Sequence, residues 1–157
     1  MDLEHELHLP RAIENERHKA VIEIVLTGAL LTKEGDRLLR PFGLTDAQFN
    51  VLMLLRYQTI EGAVSQSELG RMLLVNRSNV TGLVDRMEQA GWVRRGSQAG
   101  DRRVNRIELT PLGRKLLARA EKAYFEAIDM ITGNLASEDL AQLSLLLGKL
   151  RSGISRQ

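Results

Sequence analysis

The 157-residue chain contains no cysteine. Disulfides, cysteine metal sites and thiol-based redox sensing are therefore excluded. Prolines number three and aromatics make up 4% of the residues, which argues against an all-β sandwich. No apolar run is long enough to cross a bilayer, and the first residues lack a charged region followed by an apolar one. A cytoplasmic protein with no membrane partner is expected. No Ser-His-Asp set, glycine-rich phosphate loop or pair of catalytic carboxylates stands out, so no enzyme is expected. Glu4, His5 and His8 are the one grouping that invites a metal. An acidic arm explains them better, and neither metal nor cofactor is expected.

What the chain does have is length for one domain with helical extensions. Its long Leu/Ala/Glu/Arg-rich tracts predict a mainly α fold. Residues 1–10 read as an N-terminal arm ending at Pro10, and 11–157 as a single domain. A long helix is expected from about Ala12 to Leu39, with Val21, Ile24, Val25, Gly28 and Leu31 on one apolar or small face. Pro41 and Gly43 stop it. Thr45 and Gln48 form a capping box for a second helix, whose buried face is Phe49, Leu52, Met53 and Leu55. Ser67 is the expected N-cap of a third helix over 68–73. A fourth runs from near Asn76 to Gln89 and closes at Ala90-Gly91.

Two strand-like runs follow, Trp92 to Arg95 and Arg103 to Leu109, with 96–100 as the turn between them. Thr110-Pro111 starts another long helix to about Thr132. Gly133-Asn134 breaks it, and Ser137 is expected to cap a last helix seamed by Leu140, Leu143, Leu147 and Leu150. Leu145 and Leu146 add apolar area off that seam, the pattern of a helix with a partner beyond its own core.

Helix, tight connection, second polar-faced helix and arginine-tipped hairpin make a helix-turn-helix with a wing, a device that places one helix in the DNA major groove. The electrostatics agree. Net charge is only +2, yet residues 94–106 hold Arg94, Arg95, Arg102, Arg103 and Arg106 against Asp101 alone. A local basic cluster, not the total, is the footprint of a nucleic-acid binder.

On the fourth helix, Val80, Leu83, Val84 and Met87 would pack inward. Ser78, Gly82, Asp85 and Gln89 face away, flanked by Thr81 on one edge and Asn79 and Arg86 on the other. Ser, Thr and Asn read base edges or bind phosphate, and Arg77 at the helix start joins them as a candidate. Gly82 is either a tolerated glycine or a point of close approach to the groove edge. Asp85 does not fit a phosphate-facing role, because its charge would repel DNA; pairing with a neighbouring arginine is one way to accommodate it, and the sequence alone does not single out the partner. Gln66 and Ser67 open the third helix, where they serve either as plain caps or beside a bound phosphate. At the wing tip Arg103 is assigned to the minor groove, Asp101 to orienting it and Arg102 to a phosphate.

The stretches SELGRMLLVNRSNVTGLVDRMEQAGWV and DRRVNRIELTPLG resemble the MarR family of bacterial winged-helix regulators. The matching features are Ser78 and Thr81, Val84 to Glu88, Asp101 and Arg103, Leu109-Thr110, and Gly113. The likeness covers nearly the whole chain and leaves only the arm outside. It implies a winged helix-turn-helix with a DNA-binding lobe at about 45–110 and dimerisation helices at about 11–40 and 111–153. It further implies a homodimer on a palindromic operator, associated with the nucleoid when bound. Many members are repressors released by a small aromatic or anionic ligand. Arg17 and His18 are candidates to reach such a ligand, although surface or dimer roles fit them equally. The rival function is a winged-helix dimer acting through protein–protein interaction, its wing arginines binding an acidic partner.

Overall fold

The computed structural model describes residues 3–9, 11, 13–59, 63–73, 77–98 and 101–154, with the backbone alone at 4, 77–78, 97–98 and 101–105. The elements run α1 (Leu3–Glu6), α2 (Glu16–Leu39), α3 (Asp46–Tyr57), β1 (Ala63–Ser65), α4 (Gln66–Met72), α5 (Arg77–Gln89), β2 (Val93–Gln98), β3 (Asp101–Leu109), α6 (Pro111–Thr132) and α7 (Ser137–Ile154). The mainly α winged helix-turn-helix expected from the sequence is present.

Two compact units divide the chain, 1–120 and 121–157. The first holds a core of Phe49, Val51, Leu52 and Leu55 from α3, Leu69 from α4, Val80, Val84 and Met87 from α5, Ile107 from β3 and Leu117 from α6, all almost fully buried. Met53, expected inside, is only half-buried, and Val51 takes an inward place instead. The sheet has order β1-β3-β2 and is antiparallel throughout. Val64 pairs with Ile107 and Arg95 with the same residue from the other side. The Arg106 guanidinium donates to the Ala63 carbonyl at 2.9 Å, a bond that ties β1 to the hairpin across 43 positions of sequence.

Several boundaries differ from the sequence expectation. Within the expected arm, residues 3–6 form one helical turn with Leu3 buried. Helix α2 starts at Glu16 rather than near Ala12, because the Asn15 side chain accepts from the His18 N–H and caps it there. Strand β1 was not foreseen; three residues are too few to show alternation. The N-cap of α4 is Ser65, not Ser67. Its hydroxyl accepts from the Glu68 N–H at 3.3 Å while the Glu68 carboxylate accepts from the Ser65 N–H at 3.0 Å. Only Ser65 lies three residues before a Glu, and that spacing decides the cap. The Ser65 hydroxyl and then its backbone hold the Glu68 carboxyl below the usual range.

The hairpin is longer than expected. Gly96, Ser97 and Gln98 continue β2, and β3 begins at Asp101, so 96–98 are strand and not turn. Gly96 lies inside the strand with the Glu108 side chain of β3 close over it: an added Cβ would meet the carboxylate at 3.3 Å, a tight contact that the Glu108 side chain could relieve by a small shift. A register irregularity at Ser97/Gln98 precedes the tip, and Ala99 and Gly100 lie outside the described residues.

In the second unit α7 begins at Ser137, but the cap is Ala136. Its carbonyl accepts from Leu140 at 3.1 Å, and its N–H donates to Asp139 at 2.9 Å. Ser137, expected as the cap, is already helical because the acid three residues beyond Ala136 completes the N-terminus. Tyr124 and Phe125 meet edge to face at 5.5 Å. Along α7, Leu140, Leu143, Leu145, Leu146 and Leu150 are exposed in the single chain. Exposed too are Val21, Ile24, Val25 and Leu31 on α2.

Candidate nucleic-acid interface

Helix α5 follows α4 after a short connection and sorts its side chains as helical periodicity demands. Val80, Leu83, Val84 and Met87 are buried. Asn79, Thr81 and Arg86 are exposed on the other side, and Gly82 and Asp85 are half-buried. This polar face is open to a partner.

The helix ends cleanly. Gly91 adopts φ +74°, a conformation cheap for glycine alone. Its N–H donates to the Glu88 carbonyl and that of Trp92 to the Met87 carbonyl, both at 2.9 Å. This Schellman pair satisfies the last carbonyls of α5 and turns the chain into β2. Thr110 is joined to the same corner. Its N–H donates to the Trp92 carbonyl at 3.0 Å and its hydroxyl to that of Gly91 at 2.6 Å. The hydroxyl also accepts from the Gly113 N–H at 3.0 Å, capping α6. The exit of α5 and the start of α6 are thus one knot.

Two contacts position the polar face. The Gln66 amide of α4 donates to the Thr81 hydroxyl at 2.5 Å. Gln66 of α4 is thereby joined to Thr81 on the polar face of α5. Ser67 lies exposed on the first turn of α4. The second contact answers the question of Asp85. The Arg95 guanidinium of β2 bonds Asp85 with one nitrogen and Glu88 with another. The Arg95 backbone N–H adds a 3.0 Å bond to Glu88. The Arg95 side chain is only 23% exposed. Its burial opposes the charge, but the two carboxylates outweigh it and hold the guanidinium pKa above its ordinary value. The spacing is visible in the sequence: two acids three residues apart share one side of a helix and repel each other, and a cation between them relieves that repulsion.

Gly82 has no neighbour pressed against it. An added Cβ would meet the Arg86 guanidinium at an ordinary 3.5 Å. Within the chain the glycine leaves room for Arg86 to lie back along the helix.

Arg94 pairs across the hairpin with Glu108 at 2.7 Å. Of the five arginines between 94 and 106, Arg94, Arg95 and Arg106 therefore have partners inside the lobe. The side chains of Arg77, Ser78, Asp101, Arg102 and Arg103 lie outside the described residues, although the backbone puts the first two at the start of α5 and the others at the start of β3. Arg17 and His18 are exposed on the first turn of α2. Among the described residues no grouping of His, Asp and Glu could hold a metal ion, and no helix is long and apolar enough to cross a membrane.

Comparison with known proteins agrees with this geometry. The sequence pattern of the MarR family matches residues 42–104, a stretch that holds α3, α4, α5 and most of the wing. The HTH-type transcriptional regulator PecS of Dickeya dadantii is 33% identical over 121 residues, 77% of this chain and 73% of its own. Among solved structures, AbsC, a MarR family transcriptional regulator from Streptomyces coelicolor, superposes with a TM-score of 0.84. It is 25% identical, over 94% of this chain and 99% of its own. NadR, solved in complex with 4-hydroxyphenylacetate, has a TM-score of 0.70 at 25% identity, over 90% of this chain and 97% of its own.

Proposed function

The chain belongs to the MarR family of DNA-binding transcriptional regulators, and from that premise we propose that it is a cytoplasmic repressor acting as a homodimer on a palindromic operator. The carrying observation is α5: an open face of Asn79, Thr81 and Arg86, on a helix bonded through Arg95 to the wing. Each lobe lays α5 in a major groove, with Arg77 and Ser78 at its leading end. The hairpin follows the backbone, with Arg103 in the minor groove, Asp101 orienting it and Arg102 on a phosphate.

The dimer is supported by apolar area that one chain leaves uncovered, Val21, Ile24, Val25 and Leu31 on α2 and Leu143, Leu145 and Leu146 on α7. Exposed apolar area of this extent marks an interaction surface. Two lobes so joined read two half-sites about 34–36 Å apart, one helical turn. Repression is the simplest output of such a clamp, because an occupied promoter excludes polymerase.

Release by a small aromatic acid is supported by the structural likeness to NadR, whose structure holds 4-hydroxyphenylacetate. Arg17 and His18 are the side chains proposed to reach its carboxylate.

The test begins with duplexes that the protein selects from a random-sequence pool. The expected product is a palindrome, bound in a strongly salt-dependent way, and lost on adding an aromatic acid from a small panel. Sedimentation should show a dimer that becomes a monomer when the chain is cut before Ser137. Selection of no duplex would refute the DNA function and leave an acidic protein as the partner of the wing. A dimer that survives the cut would remove α7 from the interface. Increased transcription from a promoter bearing the palindrome would make the protein an activator.

A further inference from the structure

Two carboxylates on the groove-facing helix are electrostatically wrong for a protein that approaches a polyanion. Asp85 and Glu88 lie three residues apart, so they share a side of α5. Their common partner is Arg95, near the middle of β2. The contact has three parts: one guanidinium nitrogen on Asp85, another on Glu88, and the Arg95 N–H on Glu88 at 3.0 Å. Strand β2 is an edge of the sheet. Its Arg95 N–H is turned to the helix, where Glu88 accepts it. The other nearby strand arginine, Arg94, is held by Glu108 at 2.7 Å and is not the partner of these acids. A forked, charge-assisted contact of this kind fixes direction as well as distance.

We propose that Arg95 is a positioning residue for DNA binding, which gathers Asp85 and Glu88 to set the angle between α5 and the β2–β3 hairpin without itself touching DNA. It lets one lobe present helix and wing as a single rigid surface. The proposal rests on the duplex-DNA function above.

The two roles Arg95 could have predict opposite signs. If it were a phosphate contact, removing either carboxylate would free its charge, and DNA would bind more tightly. If it positions, the same changes weaken binding. The experiment measures affinity of the full-length protein for the duplex it selects from a random pool, across a range of salt. Asp85→Asn and Glu88→Gln keep a hydrogen-bond acceptor and remove the charge. Each is expected to weaken binding by about tenfold, within the range of coupled neighbours. Arg95→Gln is expected to do the same, with the salt slope unchanged. Combining Arg95→Gln with Glu88→Gln should be no worse than the poorer single variant.

Carboxylate variants that bind as tightly as wild type, or more tightly, overturn the proposal. So does an Arg95→Gln variant whose salt slope falls by about two, the mark of one lost phosphate contact in each lobe of the dimer. Melting temperature and sedimentation check that each variant is folded and dimeric. Should Arg95→Gln fail to fold, the two carboxylate variants still decide the sign. Wild-type protein that retains no duplex is a different result and removes the DNA function itself.

Discussion

Gly113 should be intolerant of the smallest side chain. It lies buried in the first turn of α6. A Cβ built there would sit 2.0 Å from the Trp92 carbonyl oxygen, 2.9 Å from its carbon and 3.2 Å from the Trp92 Cα. All three are backbone atoms and cannot rotate away. Relief requires α6 and the Trp92 backbone to part by about 1 Å, with an overpacking cost of about 1–3 kcal/mol. The Thr110 bonds to Gly91 and Trp92 would stretch as the two sides part, each contributing about 1 kcal/mol. The better helix propensity of Ala returns at most about 1 kcal/mol. Gly113→Ala is therefore expected to lose about 2–4 kcal/mol. For a chain of this length that lowers the melting temperature by roughly 5–12 °C, measured by calorimetry at fixed protein concentration because dimer stability depends on it. Gly35→Ala is the control. It lies inside α2, where a Cβ meets nothing closer than Asp46 at 3.8 Å. That change should be neutral or stabilise by up to about 1 kcal/mol. A Gly113→Ala protein that melts with wild type or above it would refute the close-approach argument.

Patterns repeating over a dozen residues were legible in the sequence, and contacts between distant residues were not. The buried face of α5 follows from helical periodicity alone, and Val80, Leu83, Val84 and Met87 are all inside. The Thr45–Gln48 capping box and the Gly91 exit are local chemistry and stand as expected. The cap of α4 was misplaced because Ser65 and Ser67 both suit an N-cap; only the partner three residues on separates them. The sequence makes the hairpin look shorter than it is, because Gly96 reads as a turn residue. In the fold it continues β2, with the Glu108 side chain, twelve positions away, lying close over it. Asp85 reads in the sequence as a candidate partner for an arginine, but Arg95 is ten residues on, across a turn whose geometry decides which arginine arrives. Helix α7 shows the remaining limit. Its leucines announce a partner, and a single chain leaves them uncovered.

Ser65→Ala should cost about 1 kcal/mol by thermal melt, whereas Ser67→Ala should stay within about 0.5 kcal/mol of wild type; equal losses would return the cap to Ser67. Arg103→Ala should weaken operator binding by about 1–3 kcal/mol with little change in melting temperature, and unchanged affinity by fluorescence anisotropy would remove the wing tip from the minor groove. The salt dependence of binding then tests how the arginines divide their work. Arg94, Arg95 and Arg106 have internal partners, so they should release few DNA counterions. Arg77, Arg86, Arg102 and Arg103 are the cations proposed for DNA. Four per lobe and two lobes neutralise about eight phosphates, for a slope of log affinity against log salt near −7. Were all seven arginines on phosphates, the slope would approach roughly −13. A measured value near the steeper limit would mean that the internal pairs open on DNA, and that the wing is rebuilt on binding instead of arriving preformed.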